Sequence, residues 1–293
     1  MLDARSLALW TRKFDEGQIY CRHYGLSRIL QLRNTRAHVD FLVEMRRRWS
    51  PVTRTFHLGD RQFCPTVEEF RGIMMVEKKK LLVLKPFAES MSLRKMMQDE
   101  FGYTKVEAEM ILRRNVIDFQ KWHDLVVKND VIPNVQNLYL IVMTIMIAHF
   151  LLAPTDDKPY SKVLEVAHIL QEGNYDISGL VLAETLMGLN EPFQERRPQR
   201  GSPMILCIWL LEKIRAIPSI SKGTILSPNI QQERLGLAKT RITINDHMPI
   251  RDLLPWYKID EMIYLMNKEP IITLCGLEKL YTIARLPSPD SLV

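Results

Sequence analysis

The residues that could do chemistry are few and scattered. Seven histidines (His23, His38, His57, His123, His149, His168 and His247) and four cysteines (Cys21, Cys64, Cys207 and Cys275) are spread over 293 positions. Metal binding needs such donors at recurrent close spacings, of which CxxC is the simplest. No CxxC occurs, and Cys21-Arg22-His23 is the nearest approach. Two ligands make no site, so the expectation there is a helix with one buried and one exposed side. Asp156-Asp157 suits turn and N-cap duty. His57 has the ring of a general base, but its setting suits one half of a cross-strand pair or packing on Trp49. Catalytic, metal-binding and cofactor-binding residues are therefore all assigned as none.

The motifs of the common nucleotide-dependent and hydrolytic classes are missing. A GxGxxG loop needs two glycines two positions apart, and none of the 12 glycines has such a neighbour. GxxxxGK[ST], GxSxG and HExxH do not occur either. Catalytic groups can still converge from distant positions, so an unrecognised enzyme stays as a second alternative behind two non-catalytic readings.

The net charge is +6, and the surplus sits at the front. Residues 1–60 hold 11 Lys/Arg against 6 Asp/Glu. Arg46, Arg47 and Arg48 are the densest run, and Arg196, Arg197 and Arg200 lie in a proline-containing loop between Asn190 and Pro203. Such a balance suits nucleic acid or an acidic partner. The plainer reading of Arg46–Arg48 is a solvated helix end that complements the helix dipole. The cysteines fit a reducing compartment, with Cys207 and Cys275 in apolar runs. Asp3, Arg5, Arg12 and Lys13 interrupt any apolar leader. The longest apolar stretch, Leu138 to Ala153, is 16 residues and contains Thr144 and His149. A membrane span needs roughly 20, so a core helix is expected and a membrane partner is not.

The elements that would position these groups follow from periodicity. Leu26, Ile29 and Leu30, then Val39, Leu42, Val43 and Met45, recur at helical spacing and stop at Trp49-Ser50-Pro51. Phe56 and Leu58 alternate with polar neighbours before Gly59-Asp60, which predicts a short β-hairpin. Thr66 and Glu69 form a capping box that opens a helix with Val67, Phe70 and Met74 on its apolar stripe. Thr104 and Glu107 form a second box, with Val106, Met110 and Ile111 expected on one face. Trp122, Leu125 and Val126 group before Pro133. The segment from about 135 to 153 is apolar nearly all round and should run through the middle of the core. Further helices are expected near 160–171, 178–190, 204–216 and from Trp256 to Met266. Strands are expected at 240–244 and 271–274. The segment from Ile217 to Pro228 reads as a connection, and Pro287-Ser288-Pro289 as a frayed tail. The fold class is mainly α: a compact multi-helix domain with one short β-hairpin and a small C-terminal sheet.

Several segments together resemble a known family. Phe41-Leu42-Val43-Glu44-Met45, then Trp49-Ser50-Pro51-Val52-Thr53-Arg54-Thr55-Phe56-His57-Leu58, resembles the opening of the plant mobile domain, also labelled aminotransferase-like or MAIN-like. Cys64 to Phe70 is similar to its T-x-x-[ED] helix start. Gly201 to Leu210 is similar to its G-x-x-x-L-L-x-x-W helix, and Trp256 to Gly276 to its C-terminal region. The segment from Ile177 to Asn190 is similar to an uncharacterised plant or transposon-associated variant. The chain departs from the pattern at Glu77-Lys78-Lys79-Lys80, where relatives carry Leu-Gly-[Leu/Val]-Pro.

The resemblance implies a basic helical lead-in at 1–34, a plant mobile-like domain at 35–285 and a flexible tail at 286–293. It implies Trp49, Phe56, His57, Thr66, Glu69, Trp209 and Trp256 as signature residues of structural weight. Members of the family act in the nucleus in genome stability, silencing and meristem maintenance, or travel in transposable elements. The expected function is a non-catalytic nuclear protein-interaction module, with cytoplasmic residence as the other location. A serine/threonine phosphatase-type protein is the partner the resemblance suggests. The first alternative is a nucleic-acid-associated module using Arg46–Arg48 and the Arg196–Arg200 loop. An aminotransferase would need a Schiff-base lysine and a phosphate cradle, and no glycine/serine-rich cradle lies near a lysine here.

Overall fold

Two capping boxes and three nearly all-apolar segments organise this chain. The computed structural model describes residues 39–74, 76, 80–82, 92–113, 116–118, 121–122, 124–128, 135–152, 160–171, 173, 175–192, 200–214, 244, 246–248, 250, 271–275 and 280–284. The lead-in at 1–34, Cys21-Arg22-His23, Asp156-Asp157, Arg196, Arg197, the 217–228 connection, the helix expected around Trp256 and the tail at 286–293 lie outside them, as do both expected domain boundaries.

Helix α1 (Val39–Arg47) buries Phe41, Leu42 and Met45. It runs directly into a three-stranded antiparallel sheet of β1 (Trp49–Ser50), β2 (Thr55–Leu58) and β3 (Arg61–Phe63). The expected hairpin is β2–β3, in register Phe56↔Phe63 and His57↔Gln62. The added strand β1 pairs Trp49 with Phe56 and Ser50 with Thr55. Gly59 makes the turn at φ +62°, a conformation that costs a side-chain-bearing residue.

Helix α2 (Val67–Met74) starts at the Thr66 box: Glu69 N–H donates to Thr66 Oγ1 at 3.2 Å and Thr66 N–H to Glu69 Oε2 at 3.1 Å. Strand β4 (Lys80–Leu81) pairs in parallel with β7 (Tyr175–Asp176). Helix α3 (Leu93–Asp99) is capped by Ser92. Helix α4 (Lys105–Ile111) carries the second box, with both reciprocal bonds formed. Of the three residues expected on its apolar face, Ile111 is buried and the other two are not. Ala108 and Ile111 are buried, whereas Val106 and Met110 are exposed by 67% and 50%. Residues i and i+3 share a face, and Ala108 and Ile111 form the side of α4 that belongs to the core.

After α4 come β5 (Leu112–Arg113) and β6 (Val116–Ile117), an antiparallel pair. Trp122 is fully buried, donates to the Tyr103 hydroxyl at 3.0 Å and meets Phe101 edge-on at 5.4 Å. Leu125 and Val126, in the π-helical turn Asp124–Lys128, are buried too, as the sequence grouping predicts.

Helix α5 (Val135–Met146) continues as a π-helical segment through Ile147–Leu152, and Leu140 to Ala148 are all buried. The expected central helix is present. It is joined by two more that are buried all round: α7 (Ser178–Asn190) and α8 (Pro203–Lys213). Helix α6 (Tyr160–Gln171) covers α5, while α2 packs between α7 and α8. Near the C-terminus, β8 (Ile271–Cys275) and β9 (Leu280–Ala284) form an antiparallel pair, and β8 lies beside α7. Of the strand expected at 240–244, only Ile244 is described; it is buried and outside any strand. The architecture is mainly α with short antiparallel pairs, as the periodicities predict.

Candidate functional site

Five of the signature residues, Trp49, Phe56, Thr66, Glu69 and Trp209, converge on one joint between the three-stranded sheet, α2 and α8; His57 lines a polar groove instead, and Trp256 lies outside the described residues. Phe56 packs on Trp49 at 4.9 Å between ring centroids and on Trp209 at 5.5 Å. Phe63, its cross-strand partner, lies 5.7 Å from Trp209. The ring pairing follows from register. Phe56 opposes both Trp49 and Phe63, so all three side chains share one face of the sheet. Helix α8 lays Trp209 against that face.

Polar tips then tie the joint together. The Trp209 indole N–H donates to Glu69 Oε2 at 2.6 Å. Lys213, one turn further on α8, places Nζ 2.8 Å from Glu69 Oε1. Both members of that ion pair are buried, at 4% and 7% side-chain exposure. Glu69 thus caps α2, receives the indole and holds an ammonium with one carboxylate. A buried charge without such partners would be strongly unfavourable. Trp49 Nε1 donates to Asn190 Oδ1 at 2.8 Å, fixing the sheet to the end of α7.

A second polar joint closes α7 on the start of α8. Arg200 donates to Glu184, buried in mid-helix, at 2.6 Å and to Glu191 at 3.1 Å. Burial alone would lower the Arg200 guanidinium, but the hydrogen bonds and charge of Glu184, then of Glu191, leave it above its ordinary value. Ser202 N–H donates to Thr185 Oγ1 at 2.9 Å. Gly201, at φ +81°, lies so close to the Thr185 backbone that any Cβ would collide with it.

The candidate contact arginines have separate fates. One guanidinium nitrogen of Arg46 donates to the carbonyls of Gly188 (2.6 Å), Leu189 (3.2 Å) and Glu191 at the C-terminus of α7. The Gly188 carbonyl also accepts the Glu191 amide at 3.4 Å, and a cation at this helix C-terminus is stabilising. Burial pulls the Arg46 guanidinium below its ordinary value, and Glu191 opposes it. Arg48 bonds Glu44, the Asp246 carboxylate and the Ile244 carbonyl. Arg47 is 74% exposed and 3.6 Å from Glu44. The solvated helix end expected from the run is therefore realised at Arg47, while Arg46, Arg48 and Arg200 brace the fold.

Around Arg48 an open polar groove of about 430 Å³ is lined by Glu44, Arg47, Ser50, His57 and Asp246. Asp246 closes one end. Its carboxylate, held below the ordinary aspartate range chiefly by Arg48, also accepts the Gly59 amide. Its carbonyl approaches Gly59 so closely that a Cβ there would sit 3.0 Å away. His57 pairs with Gln62 across the hairpin, and its Nε2 lies 3.2 Å from Thr55 Oγ1. That is the cross-strand role its setting suggests.

Among the described residues no group of three His, Cys, Asp or Glu is arranged to hold a metal ion, and no helix is long and apolar enough to cross a membrane. Cys64 and Cys207 are thiols. Burial pushes both well above the ordinary thiol range, and Glu69 adds to the shift at Cys64. A neutral thiol is a weak nucleophile. Sequence reading missed Lys213, Asn190, Glu184 and Asp246. The available signal for Lys213 and Glu184 was a charged residue in or at the end of a mostly apolar helix. Asn190 and Asp246 carry no local signal, because their partners lie far along the chain.

Compared with family models, curated proteins and solved structures, the chain matches none.

Proposed function

We propose that this chain is a non-catalytic protein-interaction module of the plant mobile domain type. It acts in the nucleus in genome stability or silencing, or is carried by a transposable element. The observation that supports this reading most is the joint. Trp49, Phe56, Thr66, Glu69 and Trp209, the residues that carry the family resemblance, meet in one packed cluster although Glu69 and Trp209 are 140 positions apart. Signature residues spent on holding elements together suit a domain whose specificity lies on its surface. The buried ionisable groups support the same reading, since Glu69 with Lys213, Asp176 with Arg71 and Glu184 with Arg200 are each committed to a structural pair.

The alternative, a nucleic-acid-associated module, draws on the basic front of the chain and on the exposure of Arg47. Arg46, Arg48 and Arg200 contribute less to it, because their donors already serve the protein.

Affinity purification of the tagged chain from plant nuclear extract, with and without nuclease, separates the two. A stoichiometric protein that survives nuclease is expected, with a serine/threonine phosphatase-type protein the first to look for. Recovery that collapses with nuclease would overturn the reading in favour of the alternative.

A further inference from the structure

The dipeptide Ser-Pro occurs twice among the described residues, at Ser50-Pro51 and Ser202-Pro203, in opposite environments. Ser202 is fully buried beside Thr185. Ser50 is half-buried at the end of β1 and is followed by Pro51, Val52 and Thr53, all exposed, Val52 by 90%. Its hydroxyl accepts the Thr53 amide at 3.3 Å in an exposed hydrogen bond. A residue before proline is held to extended backbone, and Ser50 is extended. Ser50 also lines the groove that contains Arg47, Arg48 and His57.

We propose that Ser50 is a phosphorylation site for a proline-directed serine kinase, and that Arg48 and Arg47 receive the phosphate, releasing Asp246 from Arg48. The donor is a nucleoside triphosphate. The bond between its γ-phosphorus and the bridging oxygen breaks, an Oγ–P bond forms, the hydroxyl proton leaves to a base, and the nucleoside diphosphate departs.

The groove contains the competition this requires. Arg48 is shared between Glu44, Asp246 and the Ile244 carbonyl. Asp246 keeps 59% of its side chain exposed, so water and salt weaken its hold. Phosphoserine carries about −1.5 to −2 charge near neutral pH, against −1 for an aspartate, and three acceptor oxygens. It matches guanidinium in the bidentate geometry that a carboxylate also uses. Arg47 is loosely paired and can turn towards it. Glu44 and Asp246, the two carboxylates facing the groove, would both be repelled. Asp246 sits on a segment held to the hairpin turn through Arg48 and Gly59, so its loss from Arg48 loosens that segment.

The test uses the full chain, MgATP and a proline-directed serine kinase that modifies a peptide of residues 45–56. One phosphate mapped by mass spectrometry to Ser50, absent from Ser50→Ala and absent at Ser202, is expected. Amide exchange across residues 244–250 should then accelerate roughly tenfold, the scale of losing one charge-assisted contact. Kinase-treated Ser50→Ala should exchange like the untreated chain. A folded chain left unmodified at Ser50 would overturn the site. Full modification with unchanged exchange would overturn the role of Arg48 as its receiver.

Discussion

The indole N–H of Trp209 and the Oε2 of Glu69 are joined at 2.6 Å across 140 positions, and the same oxygen accepts the Thr66 amide. A helix-capping carboxylate is thereby made the anchor of a distant helix. Trp209→Ala should cost about 3–5 kcal/mol, the usual penalty for truncating a buried aromatic. Trp209→Phe keeps most of the ring packing on Phe56 and Phe63 but removes the donor, and should cost about 1–3 kcal/mol. Urea denaturation of the two variants checks the order. A Trp209→Phe variant as stable as the parent chain would mean that the indole N–H contributes nothing.

Glu69→Gln leaves the Lys213 ammonium buried without its counter-charge. Removing one partner of a buried pair typically costs about 3–5 kcal/mol, whereas replacing both by apolar groups is often close to neutral. The double variant Glu69→Gln/Lys213→Met is therefore expected to be more stable than Glu69→Gln alone. A double variant no better than the single one would sink the argument.

Neighbouring arginines should behave unlike each other. Arg46→Ala removes charge-assisted, part-buried hydrogen bonds to the Gly188 and Leu189 carbonyls at the C-terminus of α7 and should cost about 1–3 kcal/mol. Arg47→Ala, at an exposed position, should change stability by less than about 0.5 kcal/mol. If the chain does bind nucleic acid, Arg47→Ala should lower the slope of log affinity against log salt by about 1. Thermal melts and a salt titration read both.

Asp246 carries a pH dependence of definite sign. Arg48 holds its carboxyl below the ordinary aspartate value, so the unfolded chain binds that proton first as pH falls. The contribution is complete above the ordinary aspartate range, about pH 4, and is lost as pH drops through the lower folded value. Carbon-detected titration of the Asp246 carboxyl should show its midpoint moving up in Arg48→Ala. An unmoved midpoint would show that Arg48 does not set it.

Cys64 and Cys207 should resist alkylation near pH 8 while the chain is folded, since burial keeps both thiols protonated. Mass mapping after iodoacetamide treatment, with and without denaturant, tests this. Native-state labelling of Cys207 at the rate of an exposed thiol would contradict it.

Local order was legible where the interaction is local. Both capping boxes read directly, because Thr66 with Glu69 and Thr104 with Glu107 are three residues apart and need no distant partner. The hairpin followed from alternation around Gly59, and α6, α7 and α8 start within a residue of their expected positions. Helix α4 was read correctly at Ile111 but not at Val106 and Met110. Val106 and Met110 are apolar and one turn apart, yet the core took Ala108 and Ile111. Periodicity supplies two apolar lines on that helix, and only the packing of neighbours selects one.

The charged residues mark the same division. From the sequence, Arg46, Arg47 and Arg48 are three equal cations at a helix end. Arg46 and Arg47 are successive helical residues and point about a hundred degrees apart, and Arg48 sits in the turn that follows, so one meets the end of α7, one faces water and one meets Asp246. The fold class, the helix starts and the aromatic signature were determined by residue order, since short-range hydrogen bonds and apolar spacing need only neighbours. The joining of Glu69 to Trp209 and Lys213, the commitment of Arg46 and Arg200 to α7, and the placing of Asp246 on Arg48 were decided by tertiary structure alone. Their energies exist only after distant segments have been brought together and water has been removed between them.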